Sequence, residues 1–521
     1  MRKRLPQSVR WATPPLTMAG TWKAILSRAS SPSESTSAFK PQTMKTYTYI
    51  FLLGATFLGA CGLMQDVEDI DPLYVLDSGT VITDAPSAEL ALNGVYNSYY
   101  QGDFMPYMAT ITSQLGVSSV ATPTNPVTDY QRNDIKANDN FSSNIHSGLY
   151  NMINRANWVI DRVSALPNTG FAGNRRTEII GEAKYNRALG HFYLLRCFGQ
   201  FWDKNSPLGI TLKKEPSRSA EIFPRDRVED VYTYILKDLE EAIAEAPAFR
   251  QHYFASSVAA KALKAKVQLF HQDFAGAAAT AKQIIDDRAD AYELVPTFNE
   301  VFAPIPASFN SKEALFSVAT NETSSVGMDN LYFFFAQYAI SPYVKSLKEQ
   351  SVMIGGTSVK LDKGRITLTD SVHCFAPNVC FPMNGKFPFP GGPTKSTYFH
   401  MRMAEVYLIY AEAEARSGSI NNALEALNQV RVRAGADPYP ATTTKAEILE
   451  AIRVEKVMEL ATENGEDWFD LIRYETVDPT FMISAKKSTL LESSASGGTE
   501  KYVLPFPRSS IDAGLAPNPG Y

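Results

Sequence analysis

Apolar positions recur every three to four residues along most of the chain, which is the spacing of amphipathic helices. This pattern predicts helices over 88–100, 149–166, 177–201, 228–246 and 444–463. Proline directly follows the second and fourth of these segments, where it ends a helix. Thr444 opens the last segment as a capping box with Glu447. We therefore expect a mostly α-helical fold.

Two segments, 255–285 and 399–435, share one layout of a helix, a short turn and a second helix. Each contains two alanines twelve residues apart, at positions where the helices of a hairpin must approach closely. These pairs are Ala265 with Ala277 and Ala411 with Ala423. The layout resembles the tetratricopeptide repeat, and a chance pair of alanine-rich helices is the alternative. Gly418 lies in the second turn, where we expect a left-handed helix end, and Gln272 holds that place in the first.

The helical pattern gives way to Gly, Pro, Asn and aromatic residues between 292 and 396, as in "FPMNGKFPFPGGPTKSTY". Segments 101–145 and 476–521 have a similar composition. We predict a loop-rich lobe with short strands over 292–396, laid on a helical scaffold over 85–290 and 397–475, with an irregular C-terminal segment. Functional contacts concentrate on loops that a rigid scaffold carries, so the ligand site is expected there.

An apolar run at 50–58 ends in Leu58-Gly59-Ala60-Cys61. The run has the length of a signal-peptide core and is too short to span a bilayer. Its last four residues resemble the lipobox of bacterial lipoproteins, which implies lipid attachment at Cys61. The alternatives are a signal peptide without lipid and a buried helix with a chance cysteine. We expect a signal peptide over 44–60 that starts at Met44, preceded by a leader without a fold at 1–43.

The charge of the chain argues against a nucleic-acid partner. The whole-chain net charge is −5, although residues 1–43 carry seven Lys or Arg against one Glu. The remainder is therefore distinctly acidic, whereas nucleic-acid binding rests on clustered Lys and Arg.

The four cysteines are too few for a disulfide scaffold. Cys374 and Cys380 are close in sequence and could pair outside the cytoplasm, and the sequence leaves this open. Cys197 lies in an apolar helical stretch and is predicted to be buried.

No motif of an enzyme is present. The six histidines are scattered, and the chain has no zinc-protease spacing, phosphate-binding glycine loop or nucleophile elbow. Acidic residues are numerous enough to leave a catalytic carboxylate pair open. We expect a binding protein without catalytic residues, cofactor or metal.

Glu455, Glu459 and Glu463 lie one helical turn apart on one face of a predicted helix. Like charges at this spacing repel, so cationic partners are expected. The candidates are Arg431, Arg433 and Arg473. A metal site is the disfavoured alternative, because no histidine accompanies the carboxylates. Nearby aromatic residues are predicted to be core rather than a ligand platform: Phe198, Phe201, Trp202, Trp468 and Phe469.

Four stretches together resemble the SusD/RagB family of outer-membrane nutrient-binding lipoproteins. They are "RALGHFYLLRCFGQFW" (187–202), "MRMAEVYLIYAEAEARSGSINNALEALNQVRVRAG" (401–435), "RVEKVMELATENGEDWFDLIRY" (453–474) and "YVLPFPRSSIDAGLAPNPGY" (502–521). With the lipobox and "LNGVYNSYY" (92–100), the resemblance spans 61–521 as a single domain. Two departures concern local ion pairs: Asp467 replaces a frequent Arg before Trp468, and no acidic residue precedes Ile511.

The resemblance implies a lipid-anchored protein on the surface of the outer membrane. It would capture an oligosaccharide and pass it to a SusC-like TonB-dependent barrel. Aromatic rings stack on the apolar faces of sugars, and polar side chains bind the hydroxyl groups, which need partners when buried.

Two loops are the candidate ligand site. In the first, 128–140, Tyr130 could stack on a sugar and Arg132, Asn133 and Asp134 could bind hydroxyls. In the second, 329–338, the corresponding residues are Tyr332, Phe334, Gln337 and Tyr338. The alternative for Phe333–Phe335 is a place in the core of the lobe.

Three further functions stay open at this point. The same fold could capture peptides, which a pocket with charged anchors would indicate. A helical-repeat adaptor for another protein would show buried aromatic loops and an open helical groove. A secreted hydrolase is the least favoured.

Overall fold

The computed structural model describes residues 81–99, 104–121, 129–218, 223–287, 290–303, 310–318, 338–377, 379–386, 397–477 and 499–521. The chain divides into a unit over Met1–Val75 and a unit over Leu76–Tyr521. All described residues belong to the second unit. The predicted leader and signal peptide lie outside them.

The helices are, in chain order, α1 (Ala85–Tyr96), α2 (Phe104–Leu115), α3 (Asp129–Arg132), α4 (Asn140–Ala165), α5 (Arg175–Phe198), α6 (Val228–Glu245), α7 (Ser257–Phe270), α8 (Phe274–Asp286), α9 (Phe298–Val301), α10 (Pro342–Leu347), α11 (Arg365–Thr369), α12 (Met403–Ser417), α13 (Ile420–Arg433), α14 (Lys445–Leu460), α15 (Glu466–Val477) and α16 (Arg508–Asp512). The strands are β1 (Ser119–Ala121), β2 (Ala314–Val318), β3 (Tyr338–Ile340), β4 (Ser351–Ile354), β5 (Thr357–Lys360), β6 (Ser371–Ala376), β7 (Val379–Met383) and β8 (Tyr398–Arg402).

The mostly helical class predicted from the sequence is confirmed. Helices α4, α5 and α6 pack on one another in sequence order. Gly190 of α5 permits the close approach to α4, because a Cβ there would lie 2.8 Å from Ile153 Cγ1. The capping box at the start of α14 is formed: Thr444 accepts from the Glu447 backbone, and the Glu447 side chain accepts from the Thr444 backbone.

The two predicted helical hairpins are α7–α8 and α12–α13, and α8 packs against α12. All four predicted alanines are fully buried in one shared hydrophobic core: Ala265, Ala277, Ala411 and Ala423. The expectation for Gly418 is wrong, because its φ is −126°. A Cβ at Gly418 would lie 2.3 Å from the Glu414 carboxylate, so a larger residue there would displace the end of that side chain. The left-handed turn residue is Gln272, at φ +64°.

Glu455 and Glu459 of α14 lie in a buried network of ion pairs, together with Glu463, which follows the end of that helix and so is not on the predicted helical face. Arg431 pairs with Glu455 at 2.8 Å and Arg433 pairs with Glu459, as predicted. The third candidate is wrong: Arg473 pairs with Glu412 at 2.6 Å and with Asp470 at 2.8 Å.

Three cations that the sequence did not suggest complete the network: Arg365, Lys386 and Arg402. They come from the lobe and from β8, which are distant in sequence from α14. Within the described ranges, no cluster of His, Cys, Asp and Glu is arranged to hold a metal ion.

The segment 292–396 carries the predicted loops and short strands. The described strands form four antiparallel pairs: β1–β3, β2–β8, β4–β5 and β6–β7. Cys374 and Cys380 face each other across β6–β7 and form a disulfide, which answers the question the sequence left open. Cys197 is buried with a free thiol.

Most of the aromatic residues predicted as core are buried: Phe198, Phe201, Trp468 and Phe469. Trp202 is half-buried and packs edge-on against Tyr502. Among the described residues, no helix combines the length and apolar character needed to cross a bilayer.

Candidate functional site

The strand pair β1–β3 joins a strand that precedes the first predicted ligand loop to the last residue of the second, Tyr338. Its strands run antiparallel, with Ala121 opposite Tyr338. The segment that follows residue 121 and the segment that precedes residue 338 therefore leave the pair at the same end. Two residues far apart in the sequence, Ala121 before the first predicted loop and Tyr338 at the end of the second, thus lie side by side.

Tyr130 lies on α3 and is only 6% exposed. Its hydroxyl donates to Asp139 Oδ1 at 2.6 Å, and its ring centroid lies 6.2 Å from that of Phe141. Burial and the nearby Asp139 carboxylate raise the pKa of Tyr130 well above its usual range. The Tyr130 ring is buried, so it has no open face on which a ligand could stack.

Asn133 is also buried, at 1% exposure, and has a left-handed backbone with φ +55°. Its side-chain amide donates to the Lys501 carbonyl at 3.1 Å, which ties the loop to the C-terminal segment. Arg132 and Asp134 are more exposed and pair with Asp129 and Lys136 respectively. A ligand role for Arg132 and Asp134 stays a prediction.

A cavity of about 320 Å³ opens beside this loop. It is lined by Asp129, Ile135, Lys136, Asn138, Asp139, Asn140 and Phe141. The lining combines carboxylates, amides and one ammonium group with two apolar side chains. The lining is therefore mainly polar, which suits a ligand with many hydroxyl groups.

Asp139 links α3 to the start of α4 beside this cavity, and it was not among the residues predicted to bind a ligand. It is the N-cap of α4, where Oδ2 accepts from the Ser142 backbone N–H at 2.7 Å. Its other oxygen takes the Tyr130 hydroxyl. An aspartate just before an amphipathic helix is a cap signal that the sequence already contained.

The second predicted loop is described only at its end. Tyr338 lies in β3 and is only 8% exposed, and a ligand role for it stays a prediction. It is close enough to Tyr130 to contribute to the raised pKa of that phenol. The other predicted ligand residues, Tyr332, Phe334 and Gln337, and the predicted lipid attachment at Cys61, lie outside the described residues.

Asp467 anchors the chain that leads into β1. Its Oδ2 accepts from the backbone N–H groups of Val117 at 2.8 Å and Ser118 at 2.9 Å. Gly116 makes room for it, because a Cβ there would lie 2.4 Å from Asp467 Oδ2. The departure noted in the sequence at Asp467 therefore has backbone partners in place of an ion pair.

Burial raises the pKa of Asp467 to about 6, against an ordinary value of 3.8, although the two backbone hydrogen bonds lower it in part. Between about pH 4 and pH 6 the folded chain keeps a proton here that the unfolded chain has lost. Folding stability from this group therefore falls as pH rises through that window and stays lower above it.

Asp467→Asn is expected to remove this pH dependence. The neutral amide oxygen can still accept the two N–H groups without a buried charge. The free energy of unfolding of the variant, relative to the unsubstituted protein, should rise by about 2–3 kcal/mol between pH 4 and pH 7. Urea denaturation of both proteins at several pH values measures it. A difference that does not change with pH would contradict the assignment.

Two family models match the chain. One, described as the SusD family, matches residues 389–521, and the other, described as starch-binding associating with outer membrane, matches residues 69–269. A SusD-like protein of Bacteroides ovatus is 24% identical over 400 residues, which cover 67% of this chain and 68% of that protein.

Solved structures share the fold. A SusD superfamily protein of Bacteroides thetaiotaomicron is similar with a TM-score of 0.69 and 21% identity, over 84% of this chain and 100% of that one. A laminarin-binding SusD-like protein is similar with a TM-score of 0.61 and 21% identity, over 84% of this chain and 100% of that one. The matched models, the curated relative and the shared fold agree with the motifs in the sequence, and the chain belongs to the SusD/RagB family.

Proposed function

We propose that this chain captures oligosaccharides at the cell surface and passes them to a SusC-like TonB-dependent barrel in the outer membrane. The observation that carries the proposal is the polar cavity beside the first candidate loop, lined by residues 129–141. The comparisons support it, because one relative of the same fold is a laminarin-binding protein and one matched family is described as starch-binding.

The cavity lining contains hydrogen-bond donors and acceptors that can bind the hydroxyl groups of a sugar. Asn138 and Asn140 each bring an amide that can donate and accept, and Lys136 brings a donor. Hydroxyls that lose water on binding must regain hydrogen bonds, because an unpaired buried polar group is costly. We propose that Tyr332 and Phe334 supply the stacking rings.

The proposed anchor and location rest on two supports. The lipobox at Cys61 provides the membrane anchor by resemblance, and acyl chains hold a protein at a bilayer by burying methylenes. The disulfide Cys374–Cys380 is typical of an oxidising environment outside the cytoplasm. A barrel partner would raise the effective concentration of the captured ligand, so modest affinity suffices.

The binding part of the proposal can be tested with Asn138→Ala and Asn140→Ala. Both residues lie at the surface, so the variants should fold normally. Removing both amides is expected to weaken glycan binding about tenfold. Calorimetric titration with laminarin and starch oligosaccharides measures it.

Asn174→Ala is the matched control, because Asn174 is an exposed asparagine whose side chain makes no cap hydrogen bond at α5. Its affinity should equal that of the unsubstituted protein. Unchanged binding in the Asn138 and Asn140 double variant would place the site elsewhere.

A further inference from the structure

A second cavity lies along α4, beyond the first one. It has a volume of about 420 Å³ and is formed by α4, the segment 211–217 and α16. The residues that matter for its chemistry are His146, Asn151, Lys213, Phe223, Ser509 and Ser510. This volume is in the range of small-ligand pockets, about 300–1,000 Å³.

Most of the residues that line this cavity have uncharged polar side chains. The side chains of Asn151, Ser509 and Ser510 form no hydrogen bond within the described part of the chain, and Asn151 and Ser509 are exposed. No Asp or Glu is among the described lining residues, although the chain is acidic. These groups can donate to and accept from ligand hydroxyls.

His146 adds a buried polar atom to the wall. Its Nε2 has no hydrogen-bond partner among the described residues. Burial lowers the pKa of His146 to about 4, so the ring is neutral at physiological pH. A buried ring nitrogen without a partner is uncommon in folded proteins.

Phe223 is the aromatic side chain at the mouth of this cavity. It is 45% exposed, and the Lys213 ammonium lies 3.9 Å from its ring centroid. Phe223 and Ala513 also line a neighbouring cavity of about 390 Å³, so the ring lies between two cavities. A half-exposed ring between two cavities can stack on the apolar face of a sugar.

The cleft is close to the cavity of the proposed function. Asn140 starts α4 and lines the first cavity, whereas Asn151 lines the second. The two residues are eleven positions apart, which corresponds to a distance of about 16 Å along the helix axis. The C-terminal segment lines the second cavity and also contacts the loop of the first, where the Arg508 backbone N–H donates to the Ala137 carbonyl at 2.8 Å.

We propose that this cleft is a second carbohydrate-binding site, with Phe223 as its stacking ring and Asn151, Ser509 and Ser510 as its hydroxyl partners. It takes an uncharged stretch of polysaccharide, because most of its lining residues carry uncharged amides or hydroxyls and its ammonium group lies over a face of Phe223. The proposal rests on the proposed function and extends it, because one chain could run along α4 through both sites.

The test compares Phe223→Ala with Phe249→Ala in the full chain. Phe249 is a matched control: it is 39% exposed and packs against His252 and Tyr292. Titration with long laminarin and starch oligosaccharides should show about tenfold weaker binding for Phe223→Ala and no change for Phe249→Ala. Thermal unfolding of both variants checks that they are folded.

Hydrogen exchange locates the ligand independently of the variants. Laminarin or starch oligosaccharide should slow exchange at amides 147–154 and 509–515 as well as near 129–141. Protection confined to 129–141, with Phe223→Ala binding normally, would overturn the second site and leave the proposed function intact. Absence of binding by any of the oligosaccharides would overturn both.

Discussion

Replacing Arg402 by alanine is expected to lower the free energy of unfolding by about 3–5 kcal/mol. Arg402 is 1% exposed at the end of β8. Its guanidinium contacts three buried carboxylates, Glu313 at 2.8 Å, Glu459 at 2.6 Å and Glu463 at 2.8 Å. Without the cation these carboxylates lose a shared partner in a region from which water is excluded, and an uncompensated buried charge is costly.

The matched control is Arg508→Ala. Arg508 pairs with Asp512 at 2.8 Å on the surface, where the two side chains are 68% and 57% exposed. Water screens that pair, so its loss should cost no more than about 1 kcal/mol. Urea denaturation of both variants gives the comparison. Equal losses for Arg402→Ala and Arg508→Ala would show that the buried network does not stabilise the fold.

Trp468→Ala is expected to lower the free energy of unfolding by about 3–5 kcal/mol through loss of packing. Trp468 lies in the first turn of α15 and is 2% exposed. It belongs to the large hydrophobic core that also contains α4 and α5 residues, and α15 packs against α2. Truncation leaves a cavity that the surrounding helices can fill only in part.

Trp158→Ala is the comparison for Trp468. Trp158 is half-buried on α4, and Arg162 lies 5.4 Å from its ring centroid. Its loss should cost about 1 kcal/mol, because a cation–π contact near the surface contributes little. If Trp468→Ala instead kept its stability but lost glycan binding, Trp468 would be part of a ligand platform and not core.

The helical scaffold could be predicted from the sequence because its signals are local. The three-to-four-residue spacing of apolar positions predicted α4 to α8 and α12 to α14 to within several residues at most ends. The cap at Thr444 and the alanine pairs of the hairpins depend only on neighbours in the sequence or on one packed partner.

The ion pairs and the binding loop could be predicted only in part, because they depend on residues distant in sequence. Glu459 on α14 indicated that cations must be near, but Arg402 reaches it from β8. Tyr130 looked like a stacking ring in an irregular loop, yet Asp139 and Phe141 cover it in the fold. Aromatic composition identifies a region, and exposure within the fold decides which rings can meet a ligand.

The structure also links the scaffold to the proposed site. Asp467 at the start of α15 binds the backbone directly before β1, and β1 pairs with β3, which contains Tyr338 at the end of the second candidate loop. Packing of α15 through Trp468 therefore fixes the chain that leads into β1 as well as stabilising the core.

Titration calorimetry of the full chain tests the central claim most directly. The panel contains laminarin oligosaccharides, starch oligosaccharides and mixed peptides of similar length. Oligosaccharide capture predicts saturable binding to at least one glycan and none to the peptides. Saturable binding to peptides alone, or to no member of the panel, would contradict it.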